Sequence, residues 1–539
     1  MQKASYKEFV VKNKAVLYLA LMAFVLMFGN QWVSYWDQDE AAYAGFAKGM
    51  VESGNWLMPD FIWSDVHRKP PLHFWNIAIS YKIFGINEFA TRLPAALSIL
   101  LTLAVTYFMG RRLFGEKESF LGMVVLSTSF LVVALAKVSV TDATLLFFTT
   151  LCAFSMLYVL VYKEMKWVFL FWASFALALL VKGPPVILFS GVFAAILFLF
   201  HPQRTNLFRL HPWFFLPLAA LPLYFWGYLC YQSQEGKEFI TWMVDWYILK
   251  RVGGSVFGQT GPPGTHLLGI MLFFLPYFMF FPAAVINSVK NLFGKVKDSN
   301  FLLGVWFIAG WFIFELTPSK LPAYVVAAHV PMALTIGTLL VRRPLASNNG
   351  LSWAHLILNS IIFVALLTAP FVLDLPWLTK IVFGISGLGF IMLFVYNFAR
   401  RNKEGFVRRL LVGNVTFIGV LSLVLLPVAD KLKNSSLRIA QHIESVAPEN
   451  SRIIIANNYS NPPSLPFYLL QRFQHVEEEY DASVLLKEYE SAGENVFILT
   501  RDLKDVFLKH HPELQFVEFK PFFTDRVPQE SYFILASKR

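Results

Sequence analysis

Thirteen stretches of this chain are apolar over lengths near the roughly 20 residues that a helix needs to cross a hydrocarbon layer about 30 Å thick. They run approximately over residues 14–32, 91–110, 119–137, 142–162, 167–182, 184–200, 212–231, 265–288, 301–318, 322–341, 353–373, 376–398 and 410–428. Backbone polar groups inside a bilayer must be satisfied within their own segment, so such a sequence folds as a polytopic α-helical bundle. Of the 539 residues 56% are hydrophobic and only 15% charged, against about a quarter charged in soluble domains. An ordinary cytosolic enzyme, a disordered tail and a nucleic-acid binder are thereby excluded.

The first stretch follows Lys3, Lys7, Lys12 and Lys14, and no small-residue cleavage site follows its apolar core, so it reads as an uncleaved anchor. With the N-terminus in the cytoplasm, short loops on that side hold 21 basic residues, among them Arg111, Arg112, Lys163, Arg204, Lys290, Arg342, Arg400 and Arg408. The other side holds about half as many before the tail, so the positive-inside rule gives N-in and C-out. The net charge of +11 is then largely topogenic and implies no polynucleotide partner. Cys152 and Cys230 both lie in apolar runs and define neither a disulfide framework nor a CxxC site.

Two outer segments are long, 33–90 and 232–264, and their Trp, Tyr and Phe content suits helices lying along the membrane surface. From about Lys431 the composition turns soluble. Strand-like runs at Arg452 to Ala456, Val496 to Thr500, Phe516 to Phe519 and Tyr532 to Ala536 alternate with helical patterns at Leu437 to Val446 and Asp502 to His510. We expect a membrane domain over 1–430 and a small extracytoplasmic α/β domain over 431–539.

Ionisable groups at membrane depth are costly. Asp39, Glu40, Lys69, Lys137, Asp142, Lys182, Arg251, His266, Glu315 and Lys320 all fall at or near the outer ends of spans. They line one outward-facing cavity, or they are helix-end charges that snorkel. Trp36 to Tyr43 opens a short helix whose acids sit in the first turn, where the helix dipole favours them, with Asp37 as its expected cap. Asp39 and Tyr43 share a face one turn apart, while the adjacent Glu40 points elsewhere. Lys69 before Pro70-Pro71 is a stiffly held point charge suited to phosphate, or a membrane-surface turn.

Asp142 heads the fourth span, as a cap or as a carboxylate near Asp39. Ser319-Lys320-Leu321-Pro322-Ala323-Tyr324 places a Lys and a Tyr around a Pro between two spans, as an interrupted helix that binds phosphate or as a plain hairpin. Arg251 clamps phosphate bidentately or lies exposed. His266 is a metal ligand or a surface histidine. No Gly-rich nucleotide fingerprint follows a predicted strand, so a soluble nucleotide sugar is not indicated.

Asp39-Glu40 with Tyr43, Lys69-Pro70-Pro71-Leu72, Asp142, Lys182-Gly183-Pro184 and Ser319 to Tyr324 together resemble the aminoarabinose transferases of lipid A. Those belong to the protein-mannosyltransferase-like integral-membrane glycosyltransferases with the GT-C fold, and the resemblance covers essentially the whole chain. It implies a sugar donor on polyprenyl phosphate, undecaprenyl phosphate in a bacterial inner membrane, and a lipid A-like glycolipid acceptor outside the cytoplasm. It implies Lys69, Arg251 and Tyr324 at the donor phosphate with Tyr43 close by, and Asp39 and Asp142 as the carboxylates that handle the acceptor; to these we add Lys320 as a candidate phosphate ligand and Glu40 as a candidate catalytic carboxylate. Transfer with inversion is implied as well.

The residue types suit that chemistry. A polyprenyl phosphate leaves as a phosphate monoester that gains chiefly from fixed cations. A hydroxyl acceptor needs a general base within hydrogen-bond reach, whereas a phosphate acceptor needs none and would leave the carboxylates to position a partner or a divalent metal. Relatives with these motifs glycosylate lipids, polysaccharides or proteins, so a protein O-glycosyltransferase or a polysaccharide transferase stays open. A lipid-linked-sugar transporter would show repeated halves, and no such repeat is present.

Overall fold

The computed structural model describes residues 2–536 apart from 37, 63, 247–249, 251–259, 343–348, 373–374, 401–404, 431–435, 448–450, 457–462, 474, 492–494 and 520–531. Among these residues eight helices are long and apolar enough to cross a membrane: Asn13–Trp32, Glu88–Phe114, Thr141–Tyr162, Met165–Lys182, Pro212–Cys230, Ala323–Arg342, Trp377–Ala399 and Phe406–Asp430. A ninth span is formed if the bent pair Glu116–Ser127 and Phe130–Lys137 counts as one. Four more apolar helices, Pro184–Phe200, Phe278–Phe293, Ser299–Glu315 and Asn359–Val372, are shorter. The expected thirteen spans are therefore not fixed by helix length, although the chain is a multi-pass membrane protein of mostly helical architecture.

The bent pair turns by 60° at Thr128 and Ser129. Their hydroxyls donate back to the Val124 and Leu126 carbonyls, both at 2.7 Å, satisfying the last turn where the ladder breaks. Glycine allows a close crossing between Glu116–Ser127 and His329–Arg342. A Cβ on Gly337 would lie 2.6 Å from the Glu118 carbonyl oxygen and 2.6 Å from the Gly122 nitrogen. In lipid, where apolar burial gives little net drive, such close backbone approach supplies the packing.

Residues 33–90, expected as the first outer segment, contain helices Asp39–Ser53 and Leu72–Phe84. The former is built from small residues, with Ala41, Ala42, Ala44, Gly45 and Ala47 all buried. A Cβ on Gly45 would strike the Phe61 ring and one on Gly49 the Asp60 carbonyl, so the returning chain lies directly on this helix. Residues 232–264, expected as the second outer segment, contribute Gln234–Val244, whose buried Phe239 joins a cluster with Trp226, Leu57 and Trp75.

The tail carries a five-stranded sheet: β1 Arg452–Ala456, β2 Val476–Glu478, β3 Asn495–Leu499, β4 Val517–Phe519 and β5 Tyr532–Ala536. The order is β2-β1-β3-β5-β4, with β1 parallel to β2 and β3, and β5 antiparallel to β3 and β4. Sequence periodicity missed β2, a three-residue edge strand, and helices Ser464–Leu470 and Ala482–Glu490. The tail packs on the first outer segment. Tyr35, Ala41 and Ala44 share a core with Ile439, Phe467 and Ile498, and the Tyr35 amide donates to the Tyr468 hydroxyl at 3.0 Å. Tyr468 in turn donates to Glu88 at 2.9 Å.

Candidate active site

Helix Asp39–Ser53 starts after Gln38, whose φ of 72° is left-handed, a conformation that costs a non-glycine residue free energy. Asp37, the expected cap, lies outside the described residues, and Gln38 occupies the cap position without a side-chain bond. Glu40 performs the reach-back instead, accepting from the Trp36 amide at 2.8 Å.

Glu40 is fully buried, and its two oxygens accept from Arg92 Nε at 2.7 Å and Arg92 Nη2 at 2.8 Å, as well as from the Ser139 amide at 2.8 Å. Arg92 spends its remaining donors on the carbonyls of Asn30, Val33 and Ser34. This corrects the expectation of a catalytic Glu40. Its carboxylate is consumed in tying the outer helix to Glu88–Phe108 and presents no oxygen to a substrate.

Asp39, pointing the other way, keeps 54% of its side-chain surface exposed. Its Oδ1 accepts from His67 Nδ1 at 2.8 Å and from the Tyr43 hydroxyl at 3.2 Å, and the Lys69 ammonium stands 3.8 Å away. Burial raises the Asp39 carboxyl's pKa, but Lys69, His67 and Lys182 overcome this and hold it well below the usual carboxylate range. Lys69 itself is buried, donates to the Tyr43 hydroxyl and lies 4.6 Å from the centroid of that ring. Behind them sits His73, fully buried, edge-on to Tyr43 with ring centroids 5.7 Å apart.

Asp142 occupies the first turn of Thr141–Tyr162, with Val140 at the cap position, so it is not the cap. Its Oδ1 accepts from Lys182 Nζ at 2.7 Å. Because the Lys182 charge also lowers Asp39, this lysine links the two carboxylates that the sequence placed far apart.

A second cluster surrounds Glu315, whose carboxylate accepts from the amides of Gly264 at 2.9 Å and Leu267 at 3.2 Å and from Trp311 Nε1 at 2.7 Å. It thus caps helix Thr265–Phe273. Lys320 pairs with Glu315 at 3.4 Å, and half-buried Tyr324 has its ring centroid 6.2 Å from that of His266. The His266 Nε2 lies 3.1 Å from the Leu321 carbonyl, which accepts from it, and no group of three or more His, Cys, Asp or Glu able to hold a metal occurs among the described residues. His266 therefore serves the 321–324 turn. Arg251 lies outside the described residues. Lys137 donates to the Phe28 carbonyl and to Asn30, closing the end of the first helix.

Sequence reasoning missed two residues and left a third without a role. Arg92 is a lone cation inside an apolar run, which alone should have flagged it. Lys182 stood among the outer-end charges and in a motif, without a partner or a role of its own. His67 offered no signal beyond lying two residues before Lys69.

Residues 68–227 match the family model described as dolichyl-phosphate-mannose-protein mannosyltransferase. An uncharacterised protein of Aquifex aeolicus is 30% identical over 358 residues, covering 65% of this chain and 69% of that protein. The undecaprenyl phosphate-alpha-4-amino-4-deoxy-L-arabinose arabinosyl transferase 1 of Pseudomonas fluorescens is 28% identical over 331 residues, covering 60% of this chain and 59% of that protein. In fold, the chain is similar to the crystal structure of ArnT from Cupriavidus metallidurans bound to undecaprenyl phosphate, with a TM-score of 0.75 at 20% identity over 96% of this chain and 97% of that one. A bundle of this fold, with the Asp39 and Lys69 motifs at one end, belongs to the protein-mannosyltransferase-related GT-C glycosyltransferases and is aminoarabinose-transferase-like among them.

Proposed function

We propose that this protein moves a sugar from undecaprenyl phosphate, or a related polyprenyl phosphate, to a lipid A-like glycolipid outside the cytoplasm, with inversion. The observation that carries the reading is the contact set of Lys69: a buried ammonium held between the Tyr43 hydroxyl and the Asp39 carboxylate. A fixed cation beside a carboxylate is what departure of a phosphate and arrival of an acceptor require. Lys69 and Tyr43 bind the donor phosphate in this scheme, with Tyr324, Lys320 and Arg251 from the other outer elements. Lys320 must exchange Glu315 for phosphate to do so. Asp39 and Asp142 handle the acceptor, and the Lys182 pairing of Asp142 offsets the repulsion between two acids and an incoming anion.

The site then faces the periplasm of a bacterial inner membrane, with the N-terminus cytoplasmic, outer loops 33–90 and 232–264 covering the membrane domain 1–430, and the domain 431–539 on the outer side. The test supplies purified protein with radiolabelled undecaprenyl-phosphate sugar and a bacterial lipid extract. Label on the lipid A fraction supports the reading in full. Label on protein or polysaccharide keeps the donor and moves the acceptor, and donor binding with no transfer at all overturns the enzyme in favour of a transporter.

A further inference from the structure

We infer that His67 binds the phosphate of the acceptor: anchored to Asp39 through Nδ1–H, its imidazolium turns Nε2–H toward a phosphate monoester on the incoming glycolipid and brings the positive charge that a second anion in this site needs. The inference rests on the glycosyltransferase reading and names the residue that recognises its acceptor by charge.

In that reading the site holds two phosphates, one departing and one arriving, beside the carboxylates of Asp39 and Asp142. The lysines already have work. Lys69 donates to the Tyr43 hydroxyl and stands 3.8 Å from Asp39, and Lys182 pairs with Asp142 at 2.7 Å. Arg68, next to His67, is engaged by Asp60 at 2.6 Å and Asp65 at 2.9 Å. An anion arriving beside two acids needs a further cation, and imidazole is the side chain that acquires its charge near neutrality.

The geometry turns one edge of the ring outward. His67 Nδ1 lies 2.8 Å from Asp39 Oδ1, the shortest of three contacts to that oxygen. With Nδ1 donating to the carboxylate, Nε2 is the nitrogen left for a ligand. It hydrogen-bonds no described residue, yet it is not among the buried polar atoms that lack a partner, so it reaches solvent although the side chain is only 14% exposed. The backbone fixes the ring as well, because the His67 amide donates to the Ser64 carbonyl at 2.9 Å and closes the 3-10 turn Asp65–His67. The charged and titrating groups around it are Asp39 and Tyr43 on helix Asp39–Ser53, Lys69 two residues on, the Arg68 pairs with Asp60 and Asp65, and Lys182 through its field on Asp39. Lys69 is buried, which suits the donor phosphate, and His67 Nε2 is open, which suits the partner that arrives second.

In the step, an ionised oxygen of the acceptor phosphate forms its bond to the anomeric carbon as the bond from that carbon to the donor phosphate oxygen breaks. The electron pair leaves with the polyprenyl phosphate beside Lys69, the acceptor monoester becomes a diester, and no proton is taken from the nucleophile. His67 donates throughout to an acceptor oxygen that does not attack.

The experiment uses the full chain in lipid nanodiscs with radiolabelled undecaprenyl-phosphate sugar and lipid A bearing phosphate monoesters. His67→Gln keeps a hydrogen-bonding side chain without the charge, and we expect it to raise the acceptor KM by at least about tenfold while kcat and the donor KM stay within about threefold. Inorganic phosphate should compete with the acceptor on wild type and at least about tenfold more weakly on the variant. A second measurement needs no variant: diethyl pyrocarbonate modifies accessible imidazole, and peptide mass spectrometry should show His67 of the wild-type protein protected by lipid A but not by donor alone. An acceptor KM within about threefold of wild type, a rise confined to the donor KM, or protection by donor alone would each overturn the inference while leaving the glycosyltransferase standing. Donor binding without any transfer by the wild-type protein would instead remove the parent reading.

Discussion

The Arg92 guanidinium binds both oxygens of the Glu40 carboxylate, Nε to Oε1 at 2.7 Å and Nη2 to Oε2 at 2.8 Å, with both side chains essentially out of contact with solvent. This pair joins an outer helix to a membrane helix and fixes the rotation that turns Asp39 outward. Breaking a buried pair strands the remaining charge, which costs about 3–5 kcal/mol. Arg92→Met and Glu40→Ala are each expected to destabilise the detergent-purified protein by about that much in thermal unfolding. Normal melting with lost transfer would contradict a structural role for Glu40.

Asp39→Asn and Asp142→Asn test the two carboxylates directly. Asp39→Asn is expected to melt like wild type and Asp142→Asn, which leaves the Lys182 ammonium unpaired, to melt lower, and each to reduce transfer by at least about 100-fold. Wild-type turnover in both variants would sink the catalytic assignment.

Lys69→Ala removes the buried cation between Tyr43 and Asp39. Losing a fixed charge at a developing phosphate is expected to cost about 100-fold or more in kcat/KM, with weaker donor binding by titration. Unchanged donor affinity and turnover would place the phosphate elsewhere.

His73 is buried beside Lys69, and its burial together with that positive neighbour pushes its pKa down to about 3. A histidine with a depressed folded-state pKa folds in its neutral form. The stability it contributes is fully present above the unfolded value near 6.5 and declines as pH falls from there toward 3. Melting temperatures measured from pH 7 to pH 4 should therefore fall less steeply in His73→Gln than in wild type, and parallel curves would refute this.

Tyr468→Phe deletes the hydroxyl that accepts from the Tyr35 amide and donates to Glu88. About 1–3 kcal/mol should be lost, because a buried amide is left without a partner. Limited proteolysis near residue 431 should accelerate in parallel, since Tyr468 ties the tail to the first outer segment. Proteolysis at the wild-type rate would mean that the tail is held by its apolar core alone.

The membrane class was legible in the sequence because bilayer thickness and backbone satisfaction act on contiguous stretches, and so were four of the five strands. Asp39, Tyr43 and Lys69 were legible for a related reason, since helical spacing and a diproline constrain neighbours along the chain. The length of each span was less so, because bends such as the one at Thr128 and Ser129 depend on which hydroxyls turn back onto the helix. The division of labour between adjacent acids came only from tertiary structure. Arg92, 52 residues away from Glu40, claims its carboxylate and leaves Asp39 to face His67 and Lys69, while Lys182, 40 residues from Asp142, links that acid to the same field. Local sequence sets which residues can point together; only folding across the chain decides which charges meet, because a buried charge is stable only beside a partner that another segment brings.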